Sequence, residues 1–197
     1  MARKRRPRNK NTQPQPSAGV SVSGAIDTAP FIASVEKGIT ELEARNKAHN
    51  AKLQPNDPRR KSENLMPIFK MIVLKGDVQM FSKETHQLTL DQLNGPGPMA
   101  KKLAEGISAL MYILFEKSNK TLDPSLLEPA GTVLLCHAFD YLQESKDPEA
   151  TKEMFGDAVH QFSVAIHNAL GVTEEQFNEA VTKQGKQPQP GVLGAQA

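Results

Sequence analysis

The sequence predicts a mainly α-helical protein: a helical bundle with an N-terminal helical extension and disordered tails at both ends. Three observations carry this reading. Apolar residues recur at three- and four-residue spacing through most of the interior of the chain. Helix start and stop signals cut that pattern into separate segments. Both ends instead repeat Gln-Pro-Gln-Pro, at Gln13–Pro16 and Gln187–Pro190, amid Gly, Ser and Lys. Such composition offers no core-facing stripe and favours extended, polyproline-like chain.

Four segments follow: a disordered basic arm over 1–26, a helical extension and Pro-rich breaker over 27–61, a helical body over 62–182, and a Gln/Pro/Gly tail over 183–197. The first helix starts near Thr28 or Ala29, with Pro30 in its first turn. Ile32, Val35, Ile39 and Leu42 form its stripe, which thins to Ala44, Ala48, Ala51 and Leu53 before the breaker Gln54-Pro-Asn-Asp-Pro58. So narrow a stripe either packs on the bundle or mates with another subunit.

Ser62 is the expected N-cap of the next segment. Leu65, Ile68, Phe69, Ile72 and Val73 fit a helix, which we favour; a hairpin around Lys75-Gly-Asp77 is the alternative. Short helical pieces are expected over 77–94, ending at the strong break Asn94-Gly-Pro-Gly-Pro98.

Beyond it the pattern is clearer. Met99, Leu103, Ile107, Leu110, Met111 and Leu114 mark one helix face through Lys117. Asp123-Pro124 starts the next helix, with Ser125 and Glu128 as a capping box and Pro129 arguing for a kink or delayed start. Its stripe is Ala130, Val133, Leu134, His137, Ala138, Tyr141 and Leu142. Asp147-Pro148 repeats the start signal for a helix striped by Phe155, Ala158, Val159, Phe162, Ile166, Ala169 and Leu170, and Gly171 stops it. Thr173 and Gln176 make a further capping box, with Val172 and Phe177 as its hydrophobic staple. Several capped amphipathic helices between Met99 and Val181 are a bundle signature. Phe69, Phe81, Phe115, Phe139, Phe155 and Phe162 are expected in the core.

Charge is distributed unevenly. Arg3, Lys4, Arg5, Arg6, Arg8 and Lys10 precede the first acid, Asp27, leaving 18 basic against 22 acidic residues in the remainder, a formal −4. A cationic arm thus hangs from a mildly acidic body. It can neutralise several phosphates without reading sequence, and no interleaved aromatic suggests base stacking. An acidic protein groove, an anionic membrane surface or an import signal are the competing uses. Arg59, Arg60 and Lys61 are a candidate second contact. No apolar run is long enough to span a bilayer, and the N-terminus has no secretory h-region. A single cysteine, Cys136, cannot form an internal disulfide and fits a reducing compartment, so the protein is expected to be intracellular or packaged from an intracellular pool.

Nothing in the sequence assembles an enzyme. No CxxC, HxxxH or HExxH spacing is present, so no metal and no cofactor is expected. Cys136 and His137 are adjacent on a helix and diverge by about 100°; Cys136 reads as packing. His160 and His167 share a face away from the apolar stripe, as solvated or interface residues, with a metal or pH-sensing pair the alternative. Asp140 and Glu144 read as a solvated face rather than an acid/base pair. The prolines of Gly95-Pro-Gly-Pro98 remove the N–H donors of a phosphate cradle.

The arrangement of Arg3-Lys-Arg-Arg6, the thin helix over 28–53 and the helices between Met99 and Val181 resembles small structural proteins of tailed bacteriophages. These include internal or ejected components and head–tail accessory proteins. The resemblance lies in organisation and carries no functional residue across. It implies a non-enzymatic assembly protein, as a homo-oligomer or subunit of a larger nucleic-acid-containing particle. A free, non-sequence-specific DNA-binding accessory or regulatory protein is the second reading, and an enzyme using Cys136 a distant third.

Overall fold

A computed structural model describes residues 25–82 and 95–171. Among them are five α-helices and no strand: α1 (Ala29–Asn50), α2 (Leu65–Phe81), α3 (Met99–Lys117), α4 (Leu127–Glu144) and α5 (Lys152–Ala169). The expectations for the two tails, for the segment around residues 83–94 and for the Thr173/Gln176 capping box lie outside the described residues.

Helix α4 is the axis. Leu127, Ala130, Val133, Leu134, Leu135, Cys136, Ala138, Phe139 and Leu142 are all buried, so it is apolar on every side. The other four helices contact it, in the order α1, α2, α3, α5 around it, and Phe31 of α1 closes the ring edge-on against Phe155 of α5 at 5.4 Å. A helix apolar all round belongs at the centre of a bundle. Two glycines set its spacing. A Cβ on Gly131 would stand 2.1 Å from Phe162 of α5, and one on Gly76 of α2 would stand 2.3 Å from Leu134. The broadest helix–helix interface joins α3 to α5, and α3 buries Ala100, Ala104 and Ser108 at four-residue spacing.

The N-terminal helix, set apart as an extension by its thin stripe, packs on α2 and α4. Ile39 is buried there, while Ile32, Val35 and Leu42 lean on the core. Polar anchoring supplements that narrow stripe. Gln143 grips the Ile26 backbone from both sides, accepting from Ile26 N at 2.6 Å and donating to Ile26 O at 3.0 Å. The Thr28 hydroxyl donates to Asp140 Oδ2 at 2.7 Å. Asp140 is therefore not part of a solvated face, as the sequence suggested; it fastens the start of α1 to the end of α4, and only Glu144 is exposed.

At the other end of α1, buried Asn46 and Asn50 hold the return of the chain. Asn50 donates to Lys61 O at 2.7 Å and accepts from Lys61 N at 2.9 Å, and Asn46 donates to Ser62 O. Ser62 is not the cap of α2. Glu43, reaching across from α1, accepts from Leu65 N and Met66 N at 2.6 and 2.7 Å. A carboxylate on the first amides of a helix satisfies orphan donors and meets the positive end of the dipole.

Residues 65–81 form one helix, the favoured reading, and no hairpin occurs at Lys75–Asp77. Pro129 delays the start of α4: Asp123 caps a 3₁₀ turn over Pro124–Leu126, and the α-helix begins at Leu127. The Ser125/Glu128 box does not form, because Ser125 bonds to Asp123 and Glu128 turns to Ser163 of α5. Likewise Asp147 makes a turn with Glu149 N, and Thr151 is the real cap of α5, accepting from Met154 N. Gly171, at φ +81°, ends that helix as expected.

Candidate interaction face

Helix α2 buries Leu65, Phe69, Ile72, Gly76 and Met80 on its inner side. Its outer side is also apolar. Met71, Leu74, Val78 and Phe81, spaced three, four and three residues apart, are 40, 64, 63 and 45% exposed. That spacing places them in one stripe along the helix. Phe81 carries the stripe onto α4, its ring 5.9 Å from that of Tyr141. A surface helix ordinarily shows polar residues opposite its buried face. A contiguous exposed apolar strip marks a contact surface.

The two flanks of this stripe differ. On one side the charges are consumed internally. Lys70 reaches Glu36 of α1 at 3.7 Å, and Asp77 holds His137 Nδ1 of α4 at 2.8 Å. On the other side the stripe opens into a groove of about 640 Å³ between α2 and the end of α3. Met71, Leu74 and Val78 form one wall; Leu114 and Leu122 lie on the other. Lys75 and Lys117 stand at its edges, and among the described residues neither has an ion-pair partner and no carboxylate lines the groove. The arrangement can bind an apolar segment that brings negative charge.

Of the nine basic residues singled out from the sequence, Arg3, Lys4, Arg5, Arg6, Arg8 and Lys10 lie outside the described residues. Arg59, Arg60 and Lys61 sit together in the turn after α1, but two of them are already engaged. Arg59 forks onto Asp57 at 2.9 and 2.6 Å, and its side-chain and backbone N–H bonds hold the Asp57 carboxyl below the usual range. Arg60 donates to Asn50 O at 3.1 Å, satisfying the end of α1, and pairs with Glu63 at 3.2 Å. The Lys61 backbone is bound to Asn50, and its residue is exposed. The triplet thus has a structural use, and among its members Lys61 keeps its charge most available.

Cys136 is buried at the heart of α4. Burial, helped by the nearby Asp140 carboxylate, pushes its thiol up to about 12. A thiol held protonated is a poor nucleophile. The two histidines of α5 separate. His160 is exposed, whereas His167 is half-buried, with Nδ1 2.7 Å from Ser163 O and Nε2 3.8 Å from Glu128. The Ser163 hydroxyl donates to Glu128. Serine, histidine and glutamate therefore meet, but the hydroxyl proton goes to the carboxylate and the imidazole to a backbone carbonyl. That geometry pins the end of α5 to the start of α4 and does not activate a nucleophile.

The sequence placed Phe81 in the core and read only one side of α2; its outer stripe went unrecognised. The signal was present. From Leu65 to Phe81 the polar side chains are Lys70, Lys75, Asp77 and Gln79 alone, too few to cover half a helix. Compared with protein-family models, curated proteins and solved structures, the chain matches none of them.

Proposed function

We propose that this chain is a non-enzymatic assembly protein of a nucleic-acid-containing particle, binding a neighbouring subunit through the outer face of α2. The exposed stripe Met71, Leu74, Val78 and Phe81, continuous with the groove beside it, carries the reading. Burying such side chains contributes about 25 cal/mol per Å² of apolar area, so an apolar stripe four side chains long has a physical reason to be covered. The basic arm adds a second contact. Its six cations within ten residues suit phosphates or acidic neighbouring subunits. The resemblance of its organisation to small phage structural proteins points to a virion as the setting.

The experiment is the mass of the full chain in solution by light scattering, beside a Leu74→Ser/Val78→Ser variant. We expect the wild type to associate and the variant to remain monomeric with unchanged helix content. A wild type that stays monomeric at all concentrations overturns the reading. That result would favour the second use of the same arm, in a free DNA-binding accessory protein.

A further inference from the structure

The groove between α2 and α3 asks for an occupant with apolar anchors and negative charge, and the chain itself contains one. The sequence after Gly171 reads Val172-Thr-Glu-Glu-Gln-Phe-Asn-Glu-Ala-Val-Thr182: three glutamates, no cation, and Phe177, Ala180 and Val181 on one side at helical spacing. Glu174 falls one turn ahead of Phe177 on that same side. We propose that the α2–α3 groove of one copy seats residues 172–182 of a second copy, the apolar side on Leu74, Val78 and Leu114 and Glu174 toward Lys75 and Lys117. This inference rests on the assembly reading above and names the partner of that face.

Two features point to a second copy rather than to the chain's own tail. Around α4 the helices follow the order α1, α2, α3, α5, so the chain leaves α5 on the far side of α3 from the groove. It leaves at the right end, since Glu128, just after the 118–126 link that carries Leu122, meets Ser163 and His167 near the end of α5. Yet the capping box at Thr173 predicts the next helical turn two residues after Gly171. Two residues span about 7 Å when extended, less than the roughly 10 Å diameter of the helix to be crossed. On that expectation the groove within reach of the segment is a neighbour's. A self-paired α2 face is disfavoured for another reason, because it brings Lys75 and Lys117 of two copies together without acids. A groove-to-tail contact is also heterologous, so it propagates into rings or longer assemblies.

Cysteine cross-linking of the full chain tests this, and buried Cys136 does not compete. Thr121→Cys, at the exposed edge of the groove, is paired in turn with Thr173→Cys, Asn178→Cys and Thr182→Cys, none of which removes an anchor. We expect at least one double variant to oxidise into dimers and longer ladders, and the matching single variants, mixed, to give a disulfide-linked heterodimer. Adding Lys75→Glu and Lys117→Glu should cut the yield by about fivefold, and Glu174→Lys should restore it. Closure within one chain, or no cross-link at any of the three positions, overturns the proposal. If the wild type still associates and Leu74→Ser/Val78→Ser still dissociates it, the α2 face stands and only this occupant falls.

Discussion

Replacing Gly131 with alanine tests whether close approach of α4 and α5 sets the architecture. The added Cβ would stand 2.1 Å from Phe162 Cζ and 2.8 Å from Cε2. Carbon atoms rest at about 3.5–4.0 Å, so the ring must retreat by well over an ångström. It has nowhere to go, being fully buried. Overpacking of this kind costs about 1–3 kcal/mol. Alanine returns about 1 kcal/mol of helix propensity. With the overlap so large, the cost falls at the upper end and the net destabilisation is about 2 kcal/mol. At this chain length that lowers Tm by about 4–8 °C. Gly38→Ala is the internal control. Nothing lies within 4 Å of the added Cβ on that exposed helix position, so it should gain up to about 1 kcal/mol. Thermal and urea unfolding followed by far-UV circular dichroism measure both. Phe162→Leu in the Gly131→Ala background should recover part of the stability. A Gly131→Ala variant as stable as wild type would refute the packing argument.

Three further outcomes follow from the geometry. Cys136, with its thiol raised to about 12 by burial, should resist alkylation at pH 8 in the native protein and react at once in denaturant. Because that folded-state value lies above the ordinary value of 9.0, its contribution to stability is complete below pH 9 and declines as pH rises toward 12; Cys136→Ala should flatten this alkaline decline in pH-dependent urea titrations. Asn50→Ala should cost about 1–3 kcal/mol in chemical unfolding, because the two partly buried bonds that hold the Lys61 amide and carbonyl are lost. Deleting residues 2–10 should leave unfolding unchanged and flatten the log–log salt dependence of duplex DNA binding by about 0.9 for each phosphate that the arm neutralises; an unchanged slope assigns the arm to a protein partner instead.

Much of the fold was legible because local signals were strong. The stripe Met99–Leu114, the stop at Gly171 and the Pro30 first turn each act within one or two turns of helix. What escaped depends on residues far apart in sequence. Glu43 caps α2 from 22 residues away, and Thr28 and Ile26 close on Asp140 and Gln143 across more than 110 residues. No periodicity announces such pairings. Helix ends without glycine were equally silent: Asn119 and Lys146 enter the left-handed region, and the residues after them, Lys120 and Asp147, donate back to Phe115 O and Leu142 O to close α3 and α4. For the candidate site the outcome is reversed. The basic residues stood out by composition, and the triplet Arg59–Lys61 is largely spent on its own turn. The outer stripe of α2 was hidden by its likeness to a core. Sequence alone shows that a segment is apolar; only the packed structure shows how much of it the body leaves uncovered.

Covering of the outer α2 face on assembly is the step on which the proposed function depends. Hydroxyl-radical footprinting of the full chain, dilute and concentrated, reads this side chain by side chain. Met71 and Phe81 should become less reactive on concentration, while Tyr112, comparably exposed on α3 at 45% and outside the stripe and groove, should not change. Equal reactivity of Met71 and Phe81 at both concentrations would contradict the account.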